Sequence, residues 1–335
     1  MQRRRGRWSG LILRVLVSGG LLLAIFSIVD VRAIWAVWRE ADLRLVDLAV
    51  LVQVGALALS SWRWQMLLQA QGQHQPYPWL LGTTLVGQFA NNFLPTMVGG
   101  DTVRIVQLGR RIDGYSRATT SVFLDRLFGF LALSLIATLA LLGAALIPAA
   151  DTPQTSPVLQ ALTLGFALAA LTVAGGALSA PWLLPRLTHR LPARVQRPLQ
   201  QVVAALEATR ADRRGVLLAL VLGLAFQLTW VLMHLVCAWA LGLAVSPLLV
   251  ALMVPITDIV GLAPIFINNL GAREVIFTLY LSQVGVPPAT AVALAFLAFT
   301  VRLAVSLLGG LVALARGWRL STDPAGEPAG SEEHR

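Results

Sequence analysis

The sequence predicts an all-α integral membrane protein with about six spanning helices and two inverted re-entrant helical hairpins, eight hydrophobic segments in all. Of its 335 residues, 57% are hydrophobic and 13% are charged, and the mean hydropathy is +0.73. Soluble domains carry more charge than this, so the composition indicates a membrane protein. The hairpins are predicted because polar motifs interrupt two apolar regions, at about 79–112 and 248–284.

Uninterrupted apolar segments predict the spanning helices, because crossing the hydrocarbon takes about 20 apolar residues. We expect one membrane domain over residues 1–319, built from two inverted-repeat halves that a cytoplasmic amphipathic linker joins, and then a disordered cytoplasmic tail at 320–335. The halves cover about 10–147 and 158–316, and the linker covers 186–214. The six predicted spans are 10–29, 45–68, 118–147, 158–184, 215–241 and 288–315.

The arginines orient these segments, since cytoplasmic loops carry the excess of positive charge. All 26 basic residues are Arg, and they cluster at the N-terminus, at 104–117 and at 186–214. The loops at 148–157 and 242–247 contain none. The first hairpin is therefore expected to enter and leave from the cytoplasm and the second from the outside. This pattern predicts a multi-pass protein of the bacterial inner (plasma) membrane with both termini cytoplasmic.

The composition also excludes several kinds of chemistry. Without Lys the chain cannot form a Schiff base, and with Cys237 as the single cysteine it cannot form a disulfide framework or a thiolate metal site. The net charge of +10 sits mainly beside apolar runs, which favours anionic lipid over nucleic acid as a partner. Neither a P-loop nor a G-x-S-x-G or H-E-x-x-H motif is present, so we expect no enzyme activity, no metal and no cofactor.

The two polar motifs share a pattern. Each holds paired Asn, Pro, Gly and opposite charges between apolar runs, the first over residues 91–104 and the second over 264–274. Gly100 precedes Gly114 by fourteen residues, and Gly271 precedes Gly285 by the same number. Ala-Thr follows four residues after the second glycine in each case, at 118–119 and 289–290. The match favours an inverted repeat with a binding site between its halves, although both matches are short and chance remains an alternative.

In the first motif, Asp101 and Arg104 share a helix face if a helix starts at Gly100. Asp101 is then a good N-cap, the free amides form an anion site, and Arg104 adds a forked contact to phosphate. The alternative is that Asp101 only caps the helix and pairs with Arg104. We expect Gly99 and Gly100 to allow the backbone to approach a headgroup closely.

Other charges lie within the predicted spans. Asp125 and Arg126 point about 100° apart on a helix, so they are not expected to pair; Asp125 needs another partner or water, whereas Arg126 either binds a ligand or extends to the interface. Arg302 lies in the middle of the last span, where Glu274 or Asp258 is the expected partner. A buried ion pair that only fixes helix packing is the alternative for these charges.

These residues resemble a known family. The run from Asn92 to Arg104, followed by Gly114, Ala118, Val122, Asp125, Arg126 and Gly129, is similar to the transmembrane family of lysylphosphatidylglycerol synthetases, and so is the later set of Gly271, Arg273, Glu274, Gly285, Ala289 and Arg302. That family includes the flippase-like half of the multiple peptide resistance factor. We expect a stand-alone member without the synthetase domain, for which aminoacyl transfer is not implied.

The resemblance and the polar motifs together imply that the chain flips or binds an anionic lipid, either a phospholipid or a polyprenyl-phosphate-linked lipid. One alternative is an accessory membrane subunit or an enzyme of lipid or polyprenyl-glycan biosynthesis, whose partner is a glycosyltransferase or lipid synthase. A structural scaffold is another. The candidate substrate-binding residues are Asn92, Pro95, Gly99, Gly100, Asp101, Arg104, Asp125, Arg126, Asn269, Gly271, Arg273, Glu274 and Arg302.

Overall fold

The computed structural model describes residues 16–27, 29–93, 99–146, 213–261, 266 and 268–317, together with isolated positions between 161 and 179. Most of the expected span at 158–184, nearly all of the linker at 186–214, the tail at 320–335 and Pro95 lie outside these residues. Ten helices occur in the described ranges: α1 (Leu16–Ser27), α2 (Val31–Arg39), α3 (Leu43–Ala70), α4 (Tyr77–Phe93), α5 (Gly99–Arg111), α6 (Tyr115–Leu146), α7 (Arg213–Ala240), α8 (Pro247–Gly261), α9 (Ala272–Ser282) and α10 (Pro288–Ala315).

Four of these helices, α3, α6, α7 and α10, are long and apolar enough to cross a membrane. They lie where four of the six spans were predicted. Of the first predicted span, 10–29, the described part is α1, and α1 and α2 meet at a bend of 80° where that span was expected to end. Asp30 starts α2 there: its carboxylate accepts a hydrogen bond from the backbone N–H of Arg32 at 2.8 Å, a typical N-cap. The protein is thus all-helical within the described residues, while the count of eight segments stays a prediction.

The helices α3–α6 and α7–α10 follow the same order of lengths. The starts of α3 and α7 (43 and 213) differ by 170, and so do those of α4 and α8 (77 and 247). The same offset separates Gly72 and Gly242, which have φ of 73° and 71° in the turns after α3 and α7. A positive φ favours glycine, so the two turns have the same backbone conformation at equivalent positions.

The two sets of four helices pack reciprocally. α3 lies against α7, α4 packs on α10, and α8 packs on α6. The α3–α7 pair is antiparallel, because the N–H of Asp42, just before α3, donates to the carbonyl of Ala240 at the end of α7 at 2.8 Å. Leu67, near the other end of α3, meets Ala219 near the start of α7. Because α3 and α7 are equivalent and antiparallel, the helices of the second set run in the opposite direction to their counterparts in the first.

Each set contains a short hairpin that an asparagine closes. In the α4–α5 hairpin, the Asn91 carboxamide oxygen accepts a hydrogen bond from the N–H of Gly100 at 2.7 Å. In the α8–α9 hairpin, the Asn269 amide donates to the Thr257 carbonyl at 2.8 Å. The helices of the first pair touch at Gly100, where an added Cβ would lie 2.2 Å from the Gly87 carbonyl oxygen. Gly100 is therefore explained by helix packing, and its expected role in the approach of a headgroup stays a prediction.

Candidate functional site

The first cluster of charges joins α3, α5 and α6, and it comprises Arg63, Asp101, Arg104, Asp125 and Arg126. Asp125 is only 1% exposed and accepts hydrogen bonds from two arginines, Arg63 Nε and Arg104 Nη2, each at 2.8 Å. Asp101 accepts a forked pair from Arg126, at 2.8 Å from Nε and 3.0 Å from Nη2. Arg104 Nη1 lies 3.7 Å from Asp101 and so links the two pairs.

This first cluster carries more positive than negative charge. Three guanidinium groups meet two carboxylates, which leaves a formal charge of +1. Two buried N–H groups, Arg63 Nη1 and Arg104 Nε, have no hydrogen-bond partner among the described residues. The Arg104 guanidinium also lies 4.0 Å from the centre of the Trp64 ring, a cation–π contact. Buried N–H groups without an acceptor are suited to an anion, since leaving them unpaired is costly.

The structure corrects one expectation and meets another at this cluster. α5 begins at Gly99, so Asp101 lies inside its first turn and is not the N-cap; Asn91 provides the capping contact instead. The main partner of Asp101 is Arg126 rather than Arg104. Asp125 and Arg126 do not pair with each other, as their helical spacing predicted, and Arg126 remains half exposed.

The second cluster lies at the start of α9. Glu274 is fully buried, and its carboxylate accepts the N–H of Gly271 at 2.6 Å and the Arg273 guanidinium, from Nε at 3.1 Å and more closely from Nη2. Gly271 has φ of 86°, a conformation that favours glycine. Glu274 thereby satisfies both the helix start and the neighbouring Arg, as in a capping box. Its charge and that of Arg273 cancel.

Arg302 does not have the carboxylate partner that its position predicted. Its Nη2 donates to the Asn268 carboxamide oxygen at 3.0 Å, and it forms no salt bridge within the described residues. Glu274 is bound to Arg273, and Asp258 accepts from the Trp230 indole N–H at 2.9 Å. The expectation that either acid pairs directly with Arg302 is therefore wrong. The Nε of Arg302 is buried and has no partner in the same part of the chain.

A cavity lies beside this second cluster. Its polar lining includes His234, Asp258, Asn269, Arg273 and Arg302, and aromatic rings of Trp230 and Phe299 form part of its wall. Arg273 and Arg302 both lie over the Phe299 ring, 4.8 and 5.4 Å from its centre. Among the described residues no group of three His, Cys, Asp or Glu side chains is placed to hold a metal ion.

A hydrogen bond connects the two motifs between the halves. Asn268 donates from its amide to the Asn92 oxygen at 2.9 Å, which connects the second motif to the first. The Phe226 ring of α7 lies 5.6 Å from the Arg63 guanidinium and stacks against Trp230 at 6.3 Å between ring centres. Residues of both motifs thus meet at Asn92 and Asn268, while Gly99 and Gly100 lie at the start of α5.

Sequence reasoning missed Arg63, Trp230 and Asn91. The partner of Asp125 lies 62 residues away on another helix, and no local pattern marks Arg63. The duplicated Asn pair was the signal that could have identified Asn91 as the residue that closes the hairpin.

Outside the spans, burial and then the positive charge of Arg111 lower the pKa of Arg316, which lies just beyond α10.

The long apolar helices and the buried charges between them define a multi-pass helical membrane protein. The chain belongs to the family of the lysylphosphatidylglycerol synthase TM region, whose sequence profile matches residues 11–310. It is 27% identical over 301 residues to a UPF0104 membrane protein of Methanothermobacter thermautotrophicus, covering 81% of this chain and 85% of that protein. It is also 24% identical over 339 residues to the glycosyltransferase AglD of Haloferax volcanii, covering 89% of this chain but only 54% of AglD. The chain thus spans about half the length of that relative.

Proposed function

We propose that this protein binds an anionic lipid, a phospholipid or a polyprenyl-phosphate-linked lipid, and moves its headgroup across the membrane. The observation that carries the proposal is the first cluster, in which Arg63 and Arg104 keep unused, buried N–H groups in a site of net positive charge. A purely structural ion-pair network gains nothing from buried donors that have no acceptor. A phosphate that reaches this site completes the hydrogen bonds of both arginines in charge-assisted contacts.

The architecture supports movement as well as binding. Hairpins that enter the membrane from opposite sides, with broken helices between them, are a common design of transporters that bind near the bilayer midplane. Here the hairpins α4–α5 and α8–α9 belong to two sets of helices with opposite directions, and Asn92 and Asn268 connect them. Since the sequence carries no nucleotide-binding motif, we propose movement that is energy-independent or ion-coupled and involves no catalytic step.

We further propose the bacterial inner membrane as its location, with the termini in the cytoplasm. The distribution of Arg supports this orientation, because the arginines flank the end of the molecule at which α5 and α10 finish. At the opposite end the turn at 242–247 carries none, while Arg39 and Arg44 lie there among Glu40 and Asp42, which dilute their charge.

A second candidate function has its own support. The similarity to AglD, a protein named as a glycosyltransferase, favours an accessory membrane subunit or an enzyme of lipid-linked glycan synthesis. In that case the first cluster would present a polyprenyl-phosphate lipid to a partner glycosyltransferase or lipid synthase instead of moving it.

Reconstitution into liposomes tests the main proposal. The purified protein should move a fluorescent anionic lipid between leaflets without ATP, as measured by quenching from outside the vesicle. Arg104→Gln should slow the movement at least about tenfold, because a charge-assisted contact is worth about 1.5–3 kcal/mol. Arg104→Lys should restore only part of it, since Lys lacks the forked donor.

Arg39→Gln is the matched control. Arg39 ends the surface helix α2 and lies over Trp35, far from the first cluster in sequence, and its loss removes the same charge. This variant should move lipid at the wild-type rate. If the wild-type protein moves none of the candidate lipids, polyprenyl phosphates included, the movement proposal fails and the accessory role replaces it.

A further inference from the structure

A second group of arginines lies where α5 and α10 end. Arg316 donates from Nη1 to the Thr83 hydroxyl at 3.1 Å and from Nη2 to the Trp79 carbonyl at 3.1 Å. Arg111 donates from Nε to the Gln75 carboxamide oxygen at 2.7 Å. Both guanidinium groups face the same ring, 4.7 Å (Arg111) and 5.8 Å (Arg316) from the centre of Trp79.

All of the acceptors that hold these two arginines are neutral. Neither Arg111 nor Arg316 forms a salt bridge within the described part of the chain. Two like charges brought to one ring from positions 205 residues apart repel each other, and the lowered pKa of Arg316 reflects that repulsion after the effect of burial. Arginines that extend singly to a membrane surface spread apart in water. These two are instead held together by the protein.

The surrounding chain is shaped to hold them there. At Gly82 an added Cβ would lie 2.1 Å from Nη2 of Arg316, so the absence of a side chain leaves room for the guanidinium. Gln107 accepts a further contact from Arg316 at 3.4 Å and contacts Thr83 at 3.0 Å. The pair is therefore a built site and not a chance meeting of surface residues.

The site is continuous with the first cluster. Arg104, Gln107 and Arg111 are spaced at i, i+3 and i+7, which places them on one face of α5. Along that face, Arg111 comes first, Gln107 follows with its neutral contact to Thr83, and the buried Arg104, which contacts Asp125, comes last.

We propose that Arg111 and Arg316 form the docking site for the doubly charged phosphate of a lipid, a phosphomonoester or a diphosphate, before its headgroup enters along α5. Two cations without acidic partners match a dianion, whereas a phosphodiester such as phosphatidylglycerol carries a single negative charge. The site rests on the proposed function and deepens it, because it names the class of lipid and the point at which that lipid enters.

Lipid titration of the full chain in detergent, followed by native mass spectrometry, tests the site. Dioleoyl phosphatidic acid supplies a phosphomonoester and dioleoyl phosphatidylglycerol supplies a phosphodiester with the same acyl chains. The wild-type protein should bind phosphatidic acid about tenfold more tightly, the effect of one extra charge-assisted contact. Arg111→Gln and Arg316→Gln should each reduce that preference to about twofold or less.

Arg110→Gln is the control, because it removes the same charge from the exposed neighbour of Arg111; it should keep the preference. All three side chains are exposed, so the variants should fold, and thermal unfolding checks that each one does. Equal binding of both lipids by the wild-type protein overturns the proposal. So does an equal loss in Arg110→Gln, which would indicate diffuse surface charge.

Inorganic phosphate and pyrophosphate distinguish a free anion from a lipid. Displacement of phosphatidic acid only at large excess supports the lipid, and displacement at equal concentration overturns it. The outcome is separable from the proposed function. A wild-type protein that keeps the arginine-dependent preference but moves no lipid refutes movement alone, whereas movement without the preference refutes the docking site alone.

Discussion

At the scale of single residues, Asp125 is the key to the first cluster. Its two carboxylate oxygens are both used, one by Arg63 and the other by Arg104, and all three side chains are buried. Removing one member of a buried ion pair strands a charge in a medium of low dielectric, which costs much more than the pair contributes. Asp101 differs, because its partner Arg126 is half exposed, so that this pair is less enclosed by protein.

We therefore expect Asp125→Asn to lower the free energy of unfolding by about 3–5 kcal/mol. Asp101→Asn makes the same chemical change in the neighbouring ion pair with Arg126, and it should lower the free energy of unfolding by about 1 kcal/mol or less. Unfolding in detergent, followed by helical circular dichroism, measures both. Equal losses would mean that the burial of Asp125 does not govern its energetics.

The same cluster shows what residue-level sequence reasoning can and cannot reach. Asp125 was expected to need a partner, because a short acidic side chain within a span cannot reach the interface, and the structure supplies Arg63 and Arg104. The sequence could not predict that Arg63 is a partner of Asp125, because ion pairs between helices depend on which helix faces pack together. Trp64, adjacent to it, is fully buried beneath Arg104.

At the scale of the element, glycines set how closely the hairpins approach the long helices. Gly309 of α10 faces α4, and an added Cβ there would lie 2.0 Å from the carbonyl oxygen of Leu85. The obstacle is backbone, which cannot rotate away. Gly55 of α3 is a different case, because nothing lies within 4 Å of the position that its Cβ would occupy.

Gly309→Ala should accordingly destabilise the protein by about 1–3 kcal/mol, the usual cost of overpacking. Gly55→Ala should be neutral or stabilise by about 0.5–1 kcal/mol, because Ala is the better helix former. Thermal unfolding of the two variants in the same detergent provides the comparison. A Gly309→Ala protein as stable as Gly55→Ala would show that α4 and α10 pack less closely than described.

Element boundaries were predictable where apolar runs were long and uninterrupted, as in α3, α7 and α10. They were not predictable between residues 30 and 44, where mixed charges look like a loop but Asp30 caps a nine-residue helix. The hairpins were predictable from paired Asn and Gly motifs. The role of each Asn was not, because Asn91 and Asn269 both reach across to a backbone group that only the folded hairpin brings near.

At the scale of the whole molecule, the antiparallel packing of α3 against α7 determines where the ends of the halves lie. The turn after α3 contains His74, and the equivalent turn after α7 contains Ala244, 170 residues later (244 minus 74). Since the end of α7 lies beside the start of α3, these two turns are at opposite ends of the molecule. In a membrane, they should emerge on opposite faces.

Cysteine labelling tests this directly. Cys237 is buried, so Cys237→Ala gives an unreactive background. His74→Cys and Ala244→Cys are then introduced separately, both at exposed turn positions. A membrane-impermeant maleimide added to intact cells should label position 244, and it should label position 74 only after permeabilisation, because Arg110, Arg111 and Arg117 flank the His74 end and favour the cytoplasm. Labelling of both positions from outside would contradict the inverted arrangement, and labelling of position 74 alone would reverse the orientation while leaving the inversion intact.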